Sequence, residues 1–256
     1  NINYFSGQVQ LQGVQAHKAQ QQVLSLGEFT VDIAMLDLVD GFIVVEDIKL
    51  ADFAVEVDLS QQRIIAAGYE QSLEQTVKTA DEAQASAEQV ANEEPAIKGI
   101  SLKRLGLENV KVHFINAGVN AHATIDSLRV ENFDTQQPEQ QTLVDLALSI
   151  EGVKLSRQGK NFVIPAGAKL NVQAKLSKLL ENPQVLANAS LSQLAVQAAD
   201  ISTQLVAFDR LDLEGVQYNA TALGLDEIKL QGLQSITADG ENKAVIGFET
   251  LLVNGV

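Results

Sequence analysis

The side chains best suited to chemistry in this chain are three histidines, His17, His113 and His122, and a large surplus of carboxylates. His113 and His122 with Glu131 are the one set that zinc would accept, since imidazole and carboxylate are ordinary zinc donors. No close spacing such as H-x-x-x-H supports that set, so the reading is surface histidines and no metal site. His113 stands between Val112 and Phe114, and on an alternating strand it points away from them. No G-x-S-x-G elbow occurs, and VIPAGAKL lacks the G-K-[ST] of a phosphate loop. The carboxylates are spread through turns and polar strand positions, where solvation is the default and acid–base work would need a cleft. No catalytic residue, cofactor or metal is expected, and an enzyme with an unrecognised site ranks last among the readings.

Composition narrows the remaining classes. The chain has 256 residues, is 46% hydrophobic and carries a formal net charge of −15. That charge argues against partners held through phosphate backbones, so nucleic acid is not expected. There is no cysteine, which excludes disulfides and thiolate sites and is compatible with an oxidising compartment. The longest apolar runs, FIVV at Phe42 and LVAF at Leu205, are far shorter than the roughly 20 residues a spanning helix needs. No basic, then apolar, leader opens the sequence, and the repeat grammar described next runs to its last residues. The chain therefore reads as one repetitive segment, 1–256, of a longer protein.

The elements that would position any site follow from a recurring phrase: aliphatic, any, aliphatic, any, turn-former, aliphatic. It occurs as VQLQGV (Val9), IKLADF (Ile48), LGLENV (Leu105), LRVENF (Leu128), LSIEGV (Leu148), LDLEGV (Leu211), IKLQGL (Ile228) and LLVNGV (Leu251). LSLGEF at Leu24 fits with Glu28 in the turn slot. Recurrence of this kind signals a repetitive architecture. In each copy the apolar residues sit at positions one, three and six, so the two-residue period slips by one at the turn-former. The fifth slot holds Gly13, Asp52, Asn109, Asn132, Gly152, Gly215, Gly232 and Gly255. Gly, Asn and Asp bear positive φ at least cost, so each copy is expected to be a strand with a bulge or tight corner that keeps one face apolar. NAGVN (116–120), SRQGKN (156–161) and ADGENK (238–243) have hairpin-turn chemistry. The fold class expected is mainly β: an elongated, twisted antiparallel sheet forming an open apolar groove, a β-taco.

One stretch departs from this grammar. Residues 69–96 are rich in Ala, Glu and Gln, and Tyr69, Leu73, Val77 and Ala80 are helically spaced, which predicts a weakly amphipathic helix or a disordered insert at the surface. Replacement of 71–93 by a short Gly/Ser linker is therefore expected to be mild. KLSKLLENP (175–183) predicts one short helical turn.

The order of these phrases resembles the AsmA-like family of bacterial envelope proteins: EDIKLADFAVEVDL, a polar insert, ISLKRLGLENVKVHFINAG closed by Asn116, then SLRVENF and LALSIEGVKLS, across residues 46–160. The resemblance implies an elongated twisted sheet folded into an apolar groove and tethered to the inner membrane by a segment outside this sequence. It also implies a periplasmic location and movement of phospholipid between inner and outer membranes, with no catalytic residues to carry over. The partners implied are phospholipid or another acyl-chain lipid and other envelope proteins. The groove would be lined by Ile48, Leu50, Phe53, Leu105, Leu107, Val110, Val112, Phe114, Leu128, Val130, Phe133, Leu146, Leu148, Ile150, Leu211, Leu213 and Val216. With nine Phe, three Tyr and no Trp, such a lining would be aliphatic and suited to acyl chains rather than to stacked rings. The alternative is a structural or adhesive β-solenoid or sandwich, in which the same apolar face is sealed against a second layer.

Overall fold

The structure, a computed structural model, describes residues 2–3, 7–18, 21–61, 63–66, 69–72, 97–157, 160–180, 182–198, 204–239 and 242–255. Almost all of them are strand. The only helix among them is a five-residue turn, α1 (Met35–Val39), and no helix is long and apolar enough to cross a membrane. Among the described residues sixteen strands form one sheet. Its long members are β2 (Gln8–Lys18), β3 (Gln21–Ile33), β4 (Phe42–Asp58), β7 (Gly99–Asn116), β8 (Val119–Asp134), β9 (Thr142–Arg157), β11 (Lys169–Ser177), β12 (Gln184–Ala198), β13 (Gln204–Asn219), β15 (Glu227–Asp239) and β16 (Asn242–Asn254). Short strands β1 (Ile2–Asn3), β5 (Arg63–Ala66), β6 (Tyr69–Ser72), β10 (Lys160–Ile164) and β14 (Ala222–Gly224) extend it locally.

All eight turn-former residues of the repeat have positive φ: Gly13, Asp52, Asn109, Asn132, Gly152, Gly215, Gly232 and Gly255. One such residue reverses the side-chain alternation, so residues three apart, such as Leu107 and Val110, reach the same face. The slip is accommodated in two ways. Asp52 and Asn109 are matched by slips in the neighbouring strands, and pairing is in step on both sides: Ala51↔Glu108 and Phe53↔Val110 between β4 and β7, Glu108↔Ser127 and Val110↔Ile125 between β7 and β8. Elsewhere the extra residue is a bulge. His122 pairs with Gly152 and Ala123 with Ile150, leaving Glu151 unopposed; its carboxylate accepts the Thr124 hydroxyl at 2.5 Å. Ala187 pairs with Val216 and Ala189 with Leu213, and Asn188 Oδ1 accepts the Gly215 N–H at 2.9 Å. Only glycine fits at 215, because a Cβ there would overlap the Asp226 carboxylate. In the ninth copy neither Gly27 nor Glu28 takes positive φ. Instead Gly27 leaves room for the Asp52 side chain, and Glu28 binds Lys49 at 2.9 Å.

The expectation of an antiparallel sheet holds for every pairing but one. β4 and β7 are parallel, from Phe42↔Gly99 to Asp58↔Ile115. Side chains 57 residues apart fasten this joint: Lys103 to Glu46 at 2.6 Å, Arg104 to Asp47 at 2.6 Å, Asn109 to Asp52 at 2.5 Å and His113 to Glu56 at 3.0 Å. The Asp47 carboxylate beside Arg104 raises the guanidinium pKa further above its already high ordinary value. Lys49, held between Glu28 and Glu108, likewise holds the Glu28 carboxyl below its usual range.

A parallel pair needs a crossover connection, and the insert provides it. Its first residues are not helical: Tyr69–Ser72 form β6, paired with β5. The free edge of β5 satisfies their backbone N–H and C=O groups, which outweighs the helix propensity of a weakly amphipathic segment. Residues 73–96 lie outside the described residues. The predicted turn at 175–183 is an Asn182 N–H bonded to the Lys178 carbonyl at 3.2 Å, directly after the end of β11.

This topology reverses the expectation for a short linker. Ser72 pairs with Arg63 and Arg63 with Asp58, at one end of β4, whereas Gly99 pairs with Phe42 at the other. The 17 residues of β4 correspond to roughly 50 Å along the strand. Replacing 73–96 by a six-residue Gly/Ser linker, whose reach with residues 97 and 98 is about 30 Å, will break either β6 or the β4–β7 joint, while a 24-residue Gly/Ser linker will preserve both. Circular dichroism and thermal melts of the two variants check this, and an unaltered melt with the short linker would contradict the crossover.

Candidate functional site

Directly paired residues of a sheet point to the same face, so the strand registers define which apolar side chains form one surface. One row runs Leu11, Phe29, Leu50, Leu107, Leu128, Leu146, Val172, Ala189, Leu213, Ile228, Val253. A second runs Val14, Leu26, Phe53, Val110, Ile125, Leu148, Leu170, Leu191, Leu211, Leu230, Leu251. Each row takes one residue from each of the eleven long strands, and neither contains a polar side chain. With strands about 4.8 Å apart, the two rows make a stripe about 48 Å long and about 10 Å wide.

Flanking rows widen it. Ile48, Leu105, Val130 and Val144 lie beside the first row and continue through Ala174 and Ala187 to Val216. Phe133, paired with Leu102, stands beyond them. On the other side, Val112 joins Val55, Ala123 and Ile150, and Phe114 joins Val57, Ala121 and Val153. All seventeen residues expected from the sequence to line one surface thus fall on one apolar face. Phe29, Ile125, Leu170, Val172, Leu191, Ile228 and Leu230 belong to it as well. Phe29, Ile228 and Leu230 stand at apolar positions of repeat copies, whereas Ile125, Leu170, Val172 and Leu191 lie outside any copy and were signalled only by alternation, as in KLNVQAKLS.

The face is not covered by a second layer of described structure. Among the described residues the hydrophobic side chains below a tenth exposed are Ala51 (7%), Val110 (4%) and Ala168 (1%). The other sixteen of the seventeen expected residues are half-buried, each flanked by row neighbours and open above.

The opposite face is polar. A hollow of about 570 Å³ lies there between β8 and β13, lined by Asp145, Asn171, Gln173, Asn188, Arg210 and Glu214 among others. The Arg210 Nε donates to both Asp212 carboxylate oxygens, at 2.7 and 2.8 Å. His113 and His122 face each other across β7 and β8 with their rings stacked at 4.0 Å, and the Glu56 carboxylate lies 3.0 Å from His113 Nδ1. Glu131 is not beside them: it faces Arg104 and Leu143 and lies 3.8 Å from Arg129. No group of three or more His, Cys, Asp or Glu side chains among the described residues is placed to hold a metal ion.

No family model, curated protein or solved structure matches the chain.

An open face and a sealed core respond oppositely to a buried charge. At an uncovered position water reaches a carboxylate, so Val112→Asp will leave the fold intact with a small loss of stability. In a sealed core the same change costs several kcal/mol. Ala54→Asp, exposed on the polar face and paired with Lys111, is the charge-matched control; His113 is unsuitable, since its replacement would also remove the Glu56 and His122 contacts. Thermal melts check this. A drop for Val112→Asp as large as that of a core deletion would show that the face is covered.

Proposed function

We propose that this chain is a non-enzymatic, lipid-binding or lipid-conducting segment of a bacterial envelope protein. Its apolar face acts as an open groove along which phospholipid acyl chains lie across the strands. The observation that carries this reading is the pair of uninterrupted apolar rows spanning eleven strands without a covering layer. A face of that size exceeds what soluble monomers leave to water unless it takes a ligand. The aliphatic lining offers acyl chains a smooth, non-directional surface, and burial of their methylenes supplies about 0.8 kcal/mol per CH₂. Headgroups remain at the wet ends of the strands, so a lipid travels without exposing its tails. A sealed scaffold would instead require many fully buried aliphatic side chains, and among the described residues those are few.

Placement in the periplasm of a Gram-negative envelope, with an inner-membrane tether outside this sequence and envelope proteins as partners, is supported by the resemblance of residues 46–160 to the AsmA-like family. The absence of cysteine is compatible with it. Protein purified from a bacterial periplasm will carry phospholipid in native mass spectra, and delipidated protein will take up a fluorescent phospholipid. Protein that is lipid-free as purified and takes up none when offered would remove the proposal.

A further inference from the structure

The two outermost long strands, β2 and β16, complement each other. Eleven long strands joined only antiparallel would leave these two running the same way; the one parallel pairing, β4 with β7, leaves them opposed. A second copy laid beside the first in the same orientation therefore brings β16 antiparallel to the β2 of its neighbour, with both apolar faces on one side. The outer edge of β16 pairs with no strand among the described residues, and that of β2 is held only by β1, at Gln8 and Val9. Neither edge has the usual protection of lysine or proline. Ile246, Phe248, Leu251, Leu252 and Val253 are exposed. Glu249 is the one charge from Ile246 to Val253, and Gln10 to Gln15 carry none.

The joint between β13 and β15 shows how these edges fit. β16 repeats β13: VAFDRLDLEGV from Val206 and IGFETLLVNGV from Ile246 share Phe, Leu, Gly and Val at the same places, with an acidic residue after each Phe. β2 repeats β15: VQLQGVQ from Val9 matches IKLQGLQ from Ile228. β13 and β15 pair Val206 with Ser235, Arg210 with Gln231 and Leu211 with Leu230, which places Phe208 opposite Leu233. Transferred to β16 and β2, that register sets Leu251 against Leu11, Thr250 against Gln12 and Phe248 against Val14, apolar facing apolar.

The same register fills a gap. Asp209 stands directly opposite Gly232, its side chain where a Cβ would be. Gly215 and Gly27 receive Asp226 and Asp52 in the same way. β2 runs in the same direction as β15, and Gly13 has nearly the φ of Gly232, 59° against 64°. Its Cβ position therefore opens to the outer edge of β2, and no atom lies within 4 Å of it. In the transferred register the residue opposite Gly13 is Glu249.

We propose that copies of this chain join head to tail, β16 of one pairing with β2 of the next and Glu249 seated over Gly13. The incoming strand takes over the two pairs of β1, with Val253 opposite Val9 and Asn254 opposite Gln8. Such a contact is heterologous and open-ended. Each added copy lengthens the apolar stripe by about 53 Å, the width of its long strands at about 4.8 Å each. The inference does not depend on whether that stripe carries lipid.

The chain has no cysteine, so disulfide trapping reads the register directly. Gln12→Cys and Thr250→Cys, both at exposed positions, are made in separate full-length copies and mixed under mild oxidation. Directly opposed strand residues lie within bridging range, so the mixture will give a mixed disulfide that neither variant gives alone. In sedimentation velocity the wild type will grow past the dimer as concentration rises. Gly13→Asp fills the slot and sets a second carboxylate against Glu249, while keeping a residue type that bears positive φ, as Asp52 does. That variant will stay monomeric with an unchanged melt. A wild type that remains monomeric and a mixture that forms no mixed disulfide overturn the proposal. So does trapping of Thr250→Cys with itself, which would pair β16 with β16, or association undiminished by Gly13→Asp. If Gly13→Asp lowers the melt, the mixed disulfide alone decides.

Discussion

Which face the apolar side chains reach depends on one-residue slips in the strands, most of them at residues of positive φ. Without the slips at Asp52 and Asn109, Leu50 and Phe53 would point to opposite faces of β4, as would Leu107 and Val110 of β7. Every strand would then present a mixed surface. Because slips in adjacent strands either align or are absorbed by bulges at Glu151 and Gly215, the two rows cross the whole sheet unbroken. The residues that tolerate this conformation, Gly, Asn and Asp, are also those whose polar atoms or missing Cβ let a neighbour close the gap. Asn109 donates to Asp52, and Asp226 occupies the space above Gly215.

Much of this was legible because the repeat is a statement about period: apolar positions three apart around a turn-former have one physical solution in a strand. The apolar face followed from it, including all seventeen of its expected residues. Three features were not legible. The parallel joint of β4 and β7 depends on partners 57 residues apart, and alternation within a strand carries no information about the direction of its neighbour. β6 was hidden because Tyr69–Ser72 also fits a helical spacing, and only the edge of β5 decides between them. The role of Gly27 was missed because it serves Asp52 on another strand rather than its own turn.

The polar face and the joint have a common logic. Pairing Glu46, Asp47, Asp52 and Glu56 with Lys103, Arg104, Asn109 and His113 favours one register of two strands whose backbones alone would accept others. A shift by one residue would put Asp47 opposite Lys103 and leave Arg104 facing Ile48, while misaligning the slips at Asp52 and Asn109 and breaking both apolar rows. The ionic ladder on one face therefore protects the continuity of the other. That continuity underlies the proposed conduction of acyl chains, since a single polar interruption would be a barrier along the stripe.

Absence of cysteine permits a direct measurement of whether the apolar face is open. A single Leu148→Cys, in the middle of the second row, and a single Ser127→Cys, exposed on the polar face, can each be titrated with a small water-soluble alkylating reagent. An open groove requires both thiols to react in the native protein, and phospholipid to slow the reaction at position 148 while leaving that at 127 unchanged. If the thiol at 148 reacts only after unfolding, the face is sealed and the account of it as a lipid surface is wrong.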